Sequence, residues 1–187
     1  MALELNDLIQ VYDDVLDDEL CKSLLWVFDE LSSKHEFIDN NGCPTFTQVN
    51  FTENRNKSKE IEKIHNKVLS KIIEYKKVYY DYICNDCFPE DNSYEQLRIK
   101  KYNRGGEEKF DTHVDVKDYA TARRFLSFLF YLNDHQSHSG ETLFRGLTVR
   151  PKTGRLLIFP PMWMFPHLGY PPDTGPKYIL TSYLHYK

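Results

Sequence analysis

The chain has no excess of basic charge: 24 Lys and Arg stand against 28 Asp and Glu, a formal net charge of −4 at pH 7. That removes the electrostatic footprint of a nucleic-acid partner. It also has no apolar run long enough to span a bilayer. Met1 to Asn6 is acidic and polar where a secretory signal needs a basic start and an apolar stretch. A cytoplasmic protein with no membrane partner is therefore expected. Cysteine is sparse. Cys84-Asn-Asp-Cys87 has the spacing of a zinc or redox pair, but Cys21 and Cys43 offer no matching second pair. Reduced, structurally incidental thiols are the expectation, with Cys21 on the apolar face of a helix. Internal repeats and low-complexity segments are missing too.

What the chain does have is core material. Apolar residues make up 41% and aromatic residues 14% of 187 positions, enough for one folded domain and too much for disorder. The 13 Tyr and 12 Phe favour strands over at least half of it. Leu8 to Asp13 reads as a short strand. Asp17 then looks like an N-cap, with Asp18 and Glu19 in the first turn and an apolar stripe through Leu20, Leu24, Val27, Phe28 and Leu31. Asn40 to Pro44 is a turn and Phe46 to Thr52 a strand. A second helix is expected from Ser58 to about Tyr80, its stripe running through Ile61, Ile64, Val68, Ile72 and Tyr75. Cys84 to Ser93 reads as a loop. Beyond it come short β-type segments at 96–103, 109–116, 124–133, 141–144, 147–150, 155–159, 167–170 and 177–186, punctuated by Gly- and Pro-rich turns. About eight closely spaced strands suggest a jelly roll. Helices first and strands after predict an α+β arrangement, with the helices packed against one sheet. The expected division is a single domain over 1–187, in which 1–93 supply helical support and first strands and 94–187 the jelly-roll core.

Three residues carry chemistry in a pattern. His113-Val114-Asp115 puts an imidazole and a carboxylate two positions apart, so in a strand both point to one side, roughly 6.7 Å apart at the backbone. Two nitrogens and one carboxylate are the ligand set of non-haem iron(II) oxygenases, which leaves positions open for a chelating co-substrate and dioxygen. The third ligand must come from a strand remote in sequence, and His167 is the best candidate. Lys177 opens Lys-Tyr-Ile-Leu-Thr-Ser-Tyr-Leu, which reads as an interior strand. A buried Lys is costly unless paired, and an incoming dianion is a natural partner.

These residues, with Tyr102, Arg124 to Asn133, Ser139 to Phe144, Val149 to Phe159, His167 to Tyr170 and Gly175 to Tyr178, give residues 95–187 a specific resemblance. The chain resembles the iron(II)- and 2-oxoglutarate-dependent dioxygenases, in their prolyl 4-hydroxylase-like branch, and Val15 to Cys21 looks like the start of such domains. The resemblance implies a double-stranded β-helix fold and iron ligands at His113, Asp115 and His167. It further implies that Lys177, with Tyr131, Thr181 and, less directly, Tyr102, binds 2-oxoglutarate. Tyr183 stands where many relatives have Trp and is expected to touch no ligand.

The implied activity is hydroxylation of a peptidyl proline with Fe(2+), 2-oxoglutarate and dioxygen, giving hydroxylated product, succinate and CO2, with ascorbate as reductant. Trp163, Arg104 and Arg123 are the candidates for substrate contact, in or near mouth loops expected at 40–48, 116–123 and 160–166. Two other readings stay open at this point: a hydroxylase of a free amino acid or other small molecule on the same centre, and a non-catalytic jelly-roll binding module.

Overall fold

The computed structural model describes residues 3–40, 43–136 and 138–187. Along the chain it contains β1 (Gln10–Tyr12), α1 (Asp18–Glu30), β2 (Glu36–Asp39), β3 (Thr45–Asn50), α2 (Phe51–Asn54), α3 (Lys59–Ile83) and β4 (Asn92–Tyr94). There follow β5 (Arg98–Tyr102), β6 (Phe110–His113), β7 (Arg124–Tyr131), β8 (Thr142–Phe144), β9 (Leu147–Val149), β10 (Leu156–Phe159), β11 (His167–Gly169) and β12 (Lys177–Tyr186). No helix among the described residues is long and apolar enough to cross a membrane.

The helices begin where their caps dictate. The Asp17 carboxylate accepts from Leu20 N at 2.7 Å, and Asp18 and Glu19 follow in the first turn, where the helix dipole favours negative charge. The Ser58 hydroxyl caps α3 in the same way by accepting from Ile61 N. Helix α1 buries Leu20, Cys21, Leu24, Val27 and Phe28, and α3 buries Ile61, Ile64, Val68 and Ile72, one apolar stripe each.

Two sheets form a sandwich. Among the described residues the larger has the order β1-β10-β7-β12-β5-β3-β2, with β4 also pairing β12. The smaller has the order β6-β11-β8-β9. Strand alternation divides the larger sheet between two cores. Leu126, Phe128 and Phe130 of β7, Leu156 and Ile158 of β10, and Leu180 and Leu184 of β12 pack under α1 and α3. Tyr131, Leu157, Phe159 and Ile179, one position out of phase, pack between the sheets. β7 is thus covered on both faces, as its nearly unbroken apolar sequence requires.

The turn before β10 shows how tightly these parts meet. Val15 N and Leu16 N both donate to Gly154 O, and Gly154 has φ +76°. A Cβ at Gly154 would lie 2.0 Å from Leu16 O, so only glycine fits.

The elements follow the sequence expectations except at their edges. The first strand is shorter than Leu8 to Asp13, because Leu5–Leu8 forms a 3₁₀ turn. β3 stops at Asn50, whose side chain accepts from Glu53 N and starts α2. Helix α3 runs three residues past Tyr80, and the 84–93 loop contains a 3₁₀ turn and the start of β4. β2 was not anticipated; it pairs with β3, Glu36 opposite Gln48. The expected Asn40 to Pro44 turn and the 40–48 mouth loop lie partly outside the described residues.

Candidate metal centre

Strands β6 and β11 of the smaller sheet pair with His113 directly opposite His167. This register brings together two residues that are far apart in sequence. Asp115 reaches the same point by a different route from simple alternation. β6 ends at His113, and Asp115 N and Val116 N both donate to Pro161 O, so the chain bends out of the strand just before the carboxylate. The bend corrects the expectation of a His-x-Asp within one continuous strand. The convergence is unaffected. One ligand atom from each of His113, Asp115 and His167 lies within 4.8 Å of the others. His113 Nε2 is 3.5 Å from Asp115 Oδ1, and His167 Nε2 is 3.8 Å from Asp115 Oδ2.

Both imidazoles are set for metal binding. His113 Nδ1 donates to Asp111 O at 2.8 Å, and His167 Nδ1 donates to Phe165 O at 3.1 Å. A carbonyl can only accept, so the proton is on Nδ1 in each ring and the Nε2 lone pair faces the cluster. Phe110 stacks on His113 with ring centroids 3.6 Å apart, while Phe144 and Phe159 hold His167. Burial pushes His167 down, which favours the neutral ring a metal needs. Burial works against the Asp115 carboxylate, but His113, His167 and Lys100 outweigh it and hold the carboxyl below the usual range.

The larger sheet faces this cluster with β12 and β5. Lys177 is 3% exposed and stands opposite Tyr102 in the strand register. Its ammonium lies 5.4 Å from the Tyr102 ring centroid and 5.8 Å from that of Tyr131. It makes no ion pair among the described residues, and burial pushes it down to about 7. Gly140 makes room for it, since a Cβ there would press on Lys177 Cδ at 3.0 Å. Thr181 lines the cavity two same-face steps further along β12. Tyr131 lies behind its wall: the hydroxyl donates to Thr142 Oγ1 at 2.7 Å, and it is Thr142 that lines the cavity.

Tyr183 departs from expectation. Its hydroxyl lies in the field of the Asp115 carboxylate, and burial together with that carboxylate raises the phenol well above its ordinary value. The Arg124 guanidinium covers the Tyr183 ring at 4.2 Å, pairs with Glu95 at 2.7 and 2.9 Å, and donates to Asp115 O at 3.2 Å. Tyr183 is therefore a direct neighbour of a candidate ligand.

Other expected residues are placed elsewhere. Trp163, 76% exposed, lines a separate groove with Leu5 and Phe144. Arg104 is exposed in the bend after β5, and Arg123 is exposed beside the far end of β12, where its carbonyl accepts from Tyr186 N. None of the three lines the cavity. Arg155, the other cation near the start of β10, pairs with Asp13 at 2.7 Å and does not line the cavity. Cys84 and Cys87 are exposed free thiols. Sequence reasoning missed Thr142, Lys100 and Tyr183 as site residues. Period two could have found the last two, since Lys100 shares a strand face with Tyr102, and Tyr183 shares one with Lys177.

Residues 97–185 match the family model of the 2OG-Fe(II) oxygenase superfamily. Residues 97–185 carry a 2OG-Fe(II) oxygenase domain. No curated protein sequence matches it. Among solved structures, the fold of the oxygenase chain is similar to that of a viral collagen prolyl hydroxylase from Paramecium bursaria Chlorella virus-1, in complex with 2-oxoglutarate. That match has a TM-score of 0.72 at 20% identity and covers 96% of this chain and 97% of that one. A Trichoplax adhaerens prolyl hydroxylase, in complex with a peptide fragment of the hypoxia inducible factor oxygen degradation domain, gives 0.74 at 15%, covering 95% and 83%. A Pseudomonas putida prolyl-4-hydroxylase gives 0.71 at 16%, covering 96% and 93%. The shared fold is an α+β jelly roll with helices on one sheet.

The superfamily uses Fe(2+), 2-oxoglutarate and dioxygen. The residues of the oxygenase domain fit that set. The donors are two Nε2 lone pairs and a carboxylate, and a buried ammonium with no ion-pair partner among the described residues lies in the same cavity.

Proposed function

We propose that this enzyme is a prolyl 4-hydroxylase acting on a peptidyl proline, with residues 1–187 working as one dioxygenase domain. In this division 1–93 supply helical support and first strands, and 94–187 carry the site. The observation that carries the reading is the pairing of a two-His, one-Asp cluster with the unpartnered Lys177 ammonium in one cavity. The fold it shares with prolyl hydroxylases, one of them with a peptide bound, supports proline as the target.

His113, Asp115 and His167 would hold iron(II). When bound together, iron, 2-oxoglutarate and dioxygen supply the oxidation, in which 2-oxoglutarate yields succinate and CO2 and one oxygen atom passes to the substrate. Lys177 binds the distal carboxylate of 2-oxoglutarate by a charge-assisted hydrogen bond, between the rings of Tyr102 and Tyr131. Thr181, together with Thr142, which is oriented by the Tyr131 hydroxyl, offers hydroxyls to the same end. Leu129, Phe159 and Ile179 give the cavity an apolar wall that excludes water. Tyr183 and Arg124 orient Asp115. Ascorbate is the external reductant that keeps the metal ferrous.

The test is mass spectrometry of proline-containing peptides after incubation with iron(II), 2-oxoglutarate and oxygen, with succinate measured in parallel. One added oxygen on proline, matched by succinate, is the expected result. Oxygen added to free proline but to no peptide would replace the peptidyl reading with that of an amino-acid hydroxylase.

A further inference from the structure

The mouth of the cleft carries a charge that the proposed chemistry does not use. Arg98, Lys100 and Tyr102 alternate onto the inner face of β5, opposite Thr181, Ile179 and Lys177 of β12. Tyr102 belongs to the deep end with Lys177. Lys100 lies two residues outward, roughly 6.7 Å along the strand, and Arg98 as far again. The Lys100 ammonium is 5.0 Å from the ring centroid of Phe46, on the neighbouring strand β3. It therefore leans away from β12 and the co-substrate end. Lys100 lines both the metal cavity and an adjoining groove of about 300 Å³ walled by Ile38, Phe46, Gln48 and Arg98.

This cation feels the Asp115 carboxylate but has no counter-charge of its own among the described residues. Lys100 makes no ion pair among the described residues, and burial pushes it down to about 8, with the Asp115 carboxylate opposing. Among the described residues, Arg98 donates to the neutral amide of Gln96 and makes no ion pair. Arg124, at the edge of the same groove, differs in having both prongs on Glu95. Among the described residues, Asp115 is the only carboxylate lining the groove, and it belongs to the metal cluster. Partly buried cations with neither partner nor full solvation stand ready for an incoming anion.

We propose that the substrate presents a carboxylate to Lys100, with Arg98 as a second donor further out, so that the enzyme selects a proline with an anionic group beside the ring to be oxidised. The inference rests on the prolyl reading above and names its substrate class. A carboxylate beside proline has two sources: an acidic side chain next to it in a peptide, or the α-carboxylate of free proline.

Equilibrium binding to the protein loaded with Mn(II) and 2-oxoglutarate, without oxygen, separates the cases, because nothing turns over. The probes are a Glu-Pro peptide and its Gln-Pro counterpart, L-proline and L-prolinamide, and the two peptides with Ala in place of Pro. The acidic member of one pair should bind about tenfold tighter than its amide, as a charge-assisted hydrogen bond implies. Lys100→Gln should erase that preference and leave 2-oxoglutarate affinity within about twofold, while Lys100→Arg should keep the preference. Whichever pair responds names the source. A Lys100-dependent preference for Glu that survives the loss of proline would uphold the anion site and remove the prolyl reading. Equal binding of acid and amide in every pair, or a Lys100→Gln variant that loses 2-oxoglutarate instead, would overturn the proposal.

Discussion

Lys177 combines burial, positive charge and a missing partner, and its behaviour with pH follows from those three. In the folded, ligand-free protein its ammonium is pushed down to about 7, against 10.5 for an ordinary lysine. Below pH 7 both folded and unfolded chains are protonated there, and the folded chain bears the full desolvation cost. Between pH 7 and 10.5 the unfolded chain holds a proton that the folded one has released, so ligand-free stability rises with pH across that window by a few kcal/mol. 2-Oxoglutarate should reverse the preference by returning the proton to Nζ. Its affinity should then fall as pH rises above 7, approaching tenfold per unit. Lys177→Met should remove both pH dependences, raise melting temperature without ligand, and weaken 2-oxoglutarate on the order of 10- to 100-fold. Calorimetry at pH 6.5, 7.5 and 8.5 checks this, and a wild-type affinity independent of pH would move the anchor off Lys177.

At the scale of elements, β12 organises the site. One face of this strand presents Lys177, Ile179, Thr181 and Tyr183 in sequence, from the co-substrate end to the ligand Asp115. Its other face sends Leu180 and Leu184 under the helices. Tyr183→Phe should therefore keep the fold but take the phenol away from beside Asp115, weakening iron(II) binding about 10- to 100-fold, in the range for losing an outer partner of a metal ligand. Metal titration followed by the quenching of protein fluorescence reads this directly, and unchanged affinity would reduce Tyr183 to a packing residue. The strand itself was legible in the sequence because period two and its aromatic content agree. The closeness of Tyr183 to Asp115 was not, because Asp115 lies in a bend after β6, held by backbone bonds to Pro161 O, and not in the strand itself. β2 was not legible either. Phe37 of Glu-Phe-Ile-Asp stays exposed, so the segment lacks the half-buried alternation by which strands are recognised.

For the whole molecule, what the sequence conveyed was the chemistry, and what it withheld was the mouth. His113, Asp115, His167 and Lys177 are rare residue types in apolar surroundings, and rarity makes them visible. Trp163, Arg104 and Arg123 were nominated by loop position, which says nothing about the direction a loop faces; none of the three lines the cavity. The cations that line it, Lys100 and Arg98, lie within a strand whose sequence, Arg-Ile-Lys-Lys-Tyr, reads as ordinary surface. Their significance appears only when a second sheet closes over them. In this proposal a single metal is held by His113 and His167 of the smaller sheet and by Asp115 in the bend after β6, with the co-substrate tied to the larger sheet. Absorption spectroscopy of the protein with iron(II) and 2-oxoglutarate, without oxygen, tests this most directly. A visible charge-transfer band that saturates at one iron per chain, needs both additions and vanishes in His167→Ala is the result the account predicts. A band that persists in that variant, or native protein that forms none, would contradict it.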